Sequence, residues 1–270
     1  MTKRSTVAVV GVGAMGEALT SGLLGAGWDP GEVTLCVRRM DRGDELAHRT
    51  GCAVVLDPVE AIRGREVIVV AVKPRDVVEV LKRLSGEVGE DQIVISLAAG
   101  VTTETYESQL GPVPVLRAMP NTPALVGEGV TGLAPGNNAG AEHIDVARAV
   151  LGAVGSVRVM EESLLDAVTA VSGTGPAYVF LLAEALTEAA MREGLPRDVA
   201  ENFVHQTIRG AGHLLTDTGK SPARLRYEVT SPGGTTAAAM HVLEEKGFRA
   251  VVEDAVRAAA IRARELGSGA

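Results

Sequence analysis

The sequence predicts an α/β protein, with an N-terminal doubly wound parallel sheet followed by an all-helical C-terminal domain. Three observations carry this expectation. Short β-branched runs alternate with helix-like stretches over the first 160 residues, a glycine-rich turn follows the first run, and the strand-like runs stop after about residue 160. Composition agrees. Of 270 residues 46% are apolar but only 3% aromatic, so the core must be built from Ala, Val, Leu and Ile, as in α/β and helical packing rather than in sandwiches. The net charge of -8, from 26 basic and 34 acidic residues, gives no electrostatic reason to expect a nucleic-acid or membrane partner.

Taken in order, the runs at 6–10, 33–37, 67–72, 92–97 and 113–118 are continuous and apolar, as expected for parallel strands covered on both faces. Between them the helical candidates are 14–26, 41–50, 75–85 and 139–152, which completes a βαβ rhythm and defines a first domain over 1–160. The second domain, 161–270, contains Ala-, Leu- and Glu-rich stretches of helical spacing at 163–170, 176–193, 197–215, 235–246 and 248–266, with a frayed tail from 267. Pro176 suits a first helical turn, and Gly194 and Gly247 separate neighbouring helices. The segment 177–191 is apolar nearly all the way round, so it needs partners on several sides. A second subunit in a symmetric dimer would supply them, the alternative being the central helix of a monomeric bundle.

The apolar stretch after the first six residues is too short for a signal or membrane span, and later ones are interrupted, for instance by Glu184 and Glu188. Cys36 and Cys52 lie in Val-rich stretches without CxxC spacing or His companions, which reads as buried reduced thiols. A cytoplasmic protein is the expectation.

The first strand runs into Gly11-Val12-Gly13-Ala14-Met15-Gly16, a G-x-G-x-x-G in the strand–turn–helix setting of a Rossmann-type dinucleotide site. Gly11 allows the tight turn, Gly13 lets backbone approach a pyrophosphate, and Gly16 permits close helix–strand packing. An acidic residue at the end of the second strand would hold the ribose of NAD, but here that strand ends in Arg38-Arg39. Two guanidinium groups suit a 2′-phosphate, so NADPH is the preferred cofactor with NADH possible. The alternative is that the arginines project into water and Asp41 or Asp44 turns in.

Further candidates lie at other carboxyl ends of strands. Ala71, Lys73 and Pro74 lie at the end of the third run, where Lys73 either contacts the cofactor or caps the sheet edge. Leu97, Ala98 and Ala99 are small enough in backbone surroundings for a nicotinamide ring to approach, and 117–123 forms a proline-stiffened loop; each could equally be structural. The helical half adds two Gly-rich breaks at 172–176 and 230–236, each offering hydroxyls and free N–H groups at a helix start, either to hold a carboxylate or as ordinary caps. The second, with two glycines and four hydroxyls, exceeds what a cap needs. No His-x-x-x-His, Gly-x-Ser-x-Gly or phosphate-binding Gly-x-x-x-x-Gly-Lys-Ser/Thr motif occurs, so metal, hydrolase and NTPase chemistry lack their residues. No lysine lies between 163 and 219 to act as the base of an alcohol dehydrogenation.

In order along nearly the whole chain, GVGAMG, VAVKP, SLAAGV, RAMPNTPALVGEGVT, AVSGTGPAY and VTSPGGTTAAAMHVLEEKGFR resemble the pyrroline-5-carboxylate reductase family, VTSPGGTT most specifically. The resemblance implies NAD(P)H-dependent reduction of L-1-pyrroline-5-carboxylate to L-proline, and a helical domain that interlocks with its twin, often in a ring of dimers. It further implies that Gly11 to Gly16 cradle the pyrophosphate, Arg38 and Arg39 the 2′-phosphate, and Ala71, Lys73, Pro74, Leu97, Ala98 and Ala99 the ribose and nicotinamide. Ser231, Gly233, Gly234, Thr235 and Thr236 would hold the substrate, with Thr236 closest to the chemistry. The sequence departs from the family pattern at Pro58 for a ribose-contacting Asn, Tyr227 for an Asp, and Thr174 for a Ser. Rival readings are a related NADP-linked imine or keto-acid reductase and a non-catalytic nucleotide-sensing homologue.

Overall fold

Every strand residue in the centre of the first domain is buried, and successive side chains alternate between two separate cores. A computed structural model of the chain describes residues 4–267, so the tail expected at 268–270 lies outside the described residues. The strands are β1 (Val7–Val10), β2 (Val33–Cys36), β3 (Ala53–Val55), β4 (Val67–Val70), β5 (Ile93–Ser96), β6 (Val115–Met119), β7 (Gly129–Pro135) and β8 (Gly155–Val159). They form one sheet in the order β3-β2-β1-β4-β5-β6-β7-β8. Pairing is parallel from β3 to β6, β7 runs antiparallel to β6, and β8 is parallel to β7. The expectation of a parallel sheet therefore holds for the part that contains the glycine turn, and a reversed pair extends it.

The helices of this region are α1 (Ala14–Gly25), α2 (Met40–Thr50), α3 (Pro58–Ile62), α4 (Val77–Leu84), α5 (Thr103–Leu110), α6 (Ala141–Gly152) and α7 (Leu165–Val168). Val7, Val9, Leu35, Val67, Val69, Ile93 and Ile95 pack with Leu19 and Leu23 of α1, Leu46 of α2 and Val150 of α6. The intervening Ala8, Val10, Cys36, Ile68, Val70 and Val94 pack with Ile62, Leu81, Leu84 and Tyr106 of α3, α4 and α5. Period-two alternation into two apolar layers explains why these strands read as continuous hydrophobic runs.

Beyond these lie α8 (Gly175–Arg192), α9 (Arg197–Asp217), α10 (Pro222–Glu228), α11 (Thr235–Glu245) and α12 (Phe248–Gly267). Contacts divide the chain into two compact units, Met1–Thr174 with Ala259–Ala270, and Gly175–Ala258. The stretch 161–174, assigned by sequence to the helical domain, thus clusters with the sheet. It contains α7 and a π-helical turn, Thr169–Gly173, where the sequence suggested a break. The Thr174 N–H and hydroxyl both donate to the Thr169 carbonyl, at 2.8 and 3.0 Å. By length and composition 162–192 is apolar enough to cross a membrane, which the interrupting Glu184 and Glu188 had argued against.

Candidate active site

The parallel register aligns the carboxyl ends of the strands that supply the cofactor candidates. Val10 pairs with Cys36 and with Val70, and Val70 with Ser96, so the chain leaves the sheet at one level in four successive strands. Ligands bind in the crevice outside such an edge, where the strand order reverses about β1 and β4.

At the end of β1, Gly11 has φ +94°, which a side chain resists, and a Cβ there would lie 2.6 Å from the Val72 Cγ1. Its N–H donates to the Cys36 carbonyl at 3.0 Å and ties the turn to β2. Gly13 caps α1 without any side-chain hydrogen bond, so the first N–H groups of the helix remain open. A Cβ on Gly13 would point into open space, whereas one on Gly16 would collide with the Gly11 carbonyl oxygen. The helix is thereby drawn against the turn, with room left over its positive end for an anion.

A cleft of about 370 Å³ opens above this turn, lined by Gly11, Val12, Gly13, Arg38, Arg39, Ala71 and Lys73 among the residues singled out by sequence. Val37, Val72, Arg42, Arg75 and Asp76 line it as well, and sequence reasoning missed all five. Arg75 and Asp76 had one available signal, their position directly after Lys73-Pro74 at a strand end. Arg42 is committed to Glu17 and Glu45, leaving Arg38 and Arg39 as the exposed cations at the end of β2. Open space over a helix terminus, beside several guanidinium groups, fits the phosphates of a dinucleotide.

Ala14, Met15, Gly16, Pro74, Leu97, Ala98 and Ala99 do not line that cleft. Met15 packs on the core, and Leu97 donates its N–H to the Val70 carbonyl at 2.9 Å. Below Leu97, the Ser96 hydroxyl donates to the fully buried Tyr106 hydroxyl at 2.7 Å and accepts from the Ala98 N–H at 3.3 Å. This fixes the β5 exit from beneath, and burial raises the Tyr106 pKa so that it remains a neutral phenol. Pro58 starts α3, whose cap is the Asp57 carboxylate accepting from the Val59 N–H at 3.1 Å. An adjoining cavity of about 230 Å³ is lined by Cys36, Leu56, Pro58 and Val80. Burial pushes the Cys36 thiol up to about 11, which keeps it unreactive beside the cleft.

The substrate candidates form a separate group in the helical unit. The chain turns at Gly233, with φ +69°, and Gly234 caps α11 with no side chain accepting from its first turn. Ser231 presses its hydroxyl over Gly234, where a Cβ would meet Ser231 Oγ. Thr235 and Thr236 are the first helical residues, and among the described residues neither hydroxyl, nor that of Ser231, has a protein hydrogen-bond partner. The Gly234 N–H donates to the Ser231 carbonyl at 3.1 Å, and the remaining first-turn N–H donors and hydroxyls lie together at a helix start, a neutral cradle for a carboxylate. The other Gly-rich segment is committed internally. Asn121 Nδ2 donates to the Ser172 carbonyl and hydroxyl at 3.4 and 3.2 Å, and its Oδ1 accepts from Val130 at 3.0 Å.

These features define a nicotinamide-nucleotide oxidoreductase of the Rossmann type joined to a helical unit. The match to known proteins is more specific. A family model described as pyrroline-5-carboxylate reductase dimerisation matches residues 162–266, and one described as NADP oxidoreductase coenzyme F420-dependent matches residues 6–100. The pyrroline-5-carboxylate reductase of Corynebacterium melassecola is 41% identical over 267 residues, covering 97% of this chain and 99% of that protein. That of Arabidopsis thaliana is 36% identical, covering 96% and 95%. The solved pyrroline-5-carboxylate reductase of Coxiella burnetii superposes with a TM-score of 0.93 at 37% identity, covering 98% and 99%. The Plasmodium falciparum pyrroline carboxylate reductase, solved with NADP bound, gives 0.87 at 28% identity, covering 97% and 98%. The chain belongs to the pyrroline-5-carboxylate reductase family.

Proposed function

We propose that this chain reduces the cyclic imine L-1-pyrroline-5-carboxylate to L-proline, the final step of proline synthesis. The reading has NADPH as preferred reductant and NADH as an alternative, with the protein acting in the cytoplasm as a homodimer or a ring of dimers. The observation that carries the activity is the near full-length identity with pyrroline-5-carboxylate reductases, 41% over 97% of the chain.

The nicotinamide, when bound, supplies the hydride. Gly11 to Gly16 hold the pyrophosphate against the open helix terminus, Arg38 and Arg39 receive the 2′-phosphate, and Ala71, Lys73, Pro74, Leu97, Ala98 and Ala99 position the ribose and nicotinamide. With the Gly234 N–H donating to the Ser231 carbonyl, the N–H groups around Gly233 to Thr236 that remain free and the Ser231 hydroxyl bind the substrate carboxylate, and the Thr236 hydroxyl donates to the nitrogen lone pair that develops as imine becomes amine. A protonated imine is already electrophilic, so orientation does much of the work and no strong side-chain acid is required. The division into a nucleotide-binding domain over 1–160 and a substrate-binding, dimerising domain over 161–270 is supported by the dimerisation model beginning at residue 162.

Steady-state oxidation of NADPH tests the reading. Turnover with the cyclic imine should far exceed that with linear or branched keto acids and the background without substrate. Equal rates with keto acids would point to a different reductase, and tight nucleotide binding without turnover on any of them would end the enzymatic reading.

A further inference from the structure

The cofactor cleft contains five cationic side chains, Arg38, Arg39, Arg42, Lys73 and Arg75, and a single carboxylate, Asp76. That carboxylate is placed against the cation assigned to the 2′-phosphate. Asp76 ends the 3-10 turn Pro74–Asp76 between β4 and α4, and its Oδ2 is shielded from solvent in a close ion pair with Arg38 Nη2. Its other oxygen lies 3.8 Å from Arg75 Nε. The Arg38 side chain is 70% exposed and the Asp76 side chain 17%, so the acid forms the wall and the arginine reaches to it. Arg39 pairs with Asp41 instead, at 3.4 Å.

The acid expected at the end of β2 is therefore absent from that strand, yet a carboxylate enters the same cleft from the neighbouring crossover. We propose that Asp76 is a cofactor-selectivity residue. It competes with the 2′-phosphate for Arg38, which weakens NADPH binding, and it offers an acceptor for a free ribose 2′-hydroxyl, which sustains the use of NADH. The inference rests on the reading of Arg38 as a 2′-phosphate ligand. A phosphate monoester carries nearly two negative charges at neutral pH, so a carboxylate beside the same guanidinium opposes it by charge, while an uncharged hydroxyl meets no such opposition.

Calorimetric titration with 2′,5′-ADP and with 5′-AMP isolates this effect from turnover, since the two probes differ only in the discriminating 2′-phosphate. Asp76→Asn keeps the shape and removes the charge. It should tighten 2′,5′-ADP by roughly 5- to 30-fold, the effect of deleting one partly shielded like charge, and leave 5′-AMP unchanged or weaker. The NADPH-over-NADH ratio of kcat/KM should rise by a similar factor. Equal tightening of both probes would mean a general charge effect and overturn the proposal, as would unchanged or weakened 2′,5′-ADP binding. Arg38→Gln separates the two readings. If it weakens 2′,5′-ADP while Asp76→Asn does nothing, Arg38 keeps its role and Asp76 loses the one proposed. If Arg38→Gln leaves 2′,5′-ADP unaltered, the Arg38 assignment fails and the Asp76 inference falls with it.

Discussion

A hydroxyl at a helix start is ordinarily consumed in capping, accepting from the second or third N–H of the helix. At α11 the cap is Gly234 and no side chain accepts, so the Thr235, Thr236 and Ser231 hydroxyls are all available to a ligand. Thr236 is half-buried in the first turn, whereas Ser231 is exposed on the loop before it. If the Thr236 bond strengthens as the nitrogen becomes an amine, Thr236→Ala lowers kcat by roughly 10- to 1000-fold, the scale for losing one preorganised donor. Ser231→Ala acts mainly on KM, because a carboxylate contact is much the same in ground and transition states. Both variants should bind NADPH like the parent in fluorescence titration. An unaltered kcat for Thr236→Ala would leave its hydroxyl without a chemical role.

Between elements, the principal polar junction is made by Arg117 of β6, which is 4% exposed. Its guanidinium donates to Glu162 at 3.3 Å and to Asp166 of α7 at 3.4 Å, and Glu162 also accepts from the Thr103 N–H and hydroxyl at 2.9 and 2.7 Å. Three segments are thereby bound to one strand. Arg117→Ala strands two carboxylates and should cost about 3–5 kcal/mol in urea unfolding, whereas a loss within about 1 kcal/mol would mean that water replaces the bond. This junction was not legible in the sequence, because nothing local links Arg117 to residues 162 and 166. The same limit separates the recognised elements from the missed ones. The strands ending at Val10, Cys36, Val70, Ser96 and Met119 are buried on both faces and announce themselves as apolar runs. Ala53–Val55 is too short, Gly155–Val159 is a half-exposed edge, and Gly129–Pro135 contains glycines and a proline that read as loop. A Cβ on Gly132 would lie 2.9 Å from Leu165 Cδ2, so that side chain would have to shift to admit one. Cofactor candidates were readable because each follows a recognisable strand. Asp76 carried only its place after Lys73-Pro74, and the direction in which its turn enters the cleft depends on tertiary packing.

At the scale of the molecule, the helical unit cannot account for its own apolar content. Among the described residues of α8 to α11 only Thr187 and Ala200 are buried. Phe180 and Leu181 of α8 are 62% and 66% exposed, Phe203 of α9 65%, and Val251 of α12 63%. A surface of this kind marks an interface rather than a solvated face, and the stretch matched by the dimerisation model contains all four residues. In the proposed homodimer α8, α9 and α12 would form the interface, and folding of this unit would be coupled to protein concentration. Light scattering at micromolar concentration should therefore find no folded species at 27.9 kDa. Replacing Phe180 and Leu181 together by Asp should release monomer and lower the thermal midpoint, the shift growing as the protein is diluted. A fragment meant to isolate the sheet should end at Thr174 rather than 160, because the shorter cut removes Glu162 and Asp166 and leaves the buried Arg117 uncompensated. A monodisperse, fully active 27.9 kDa protein would instead assign the exposed apolar face to some other partner.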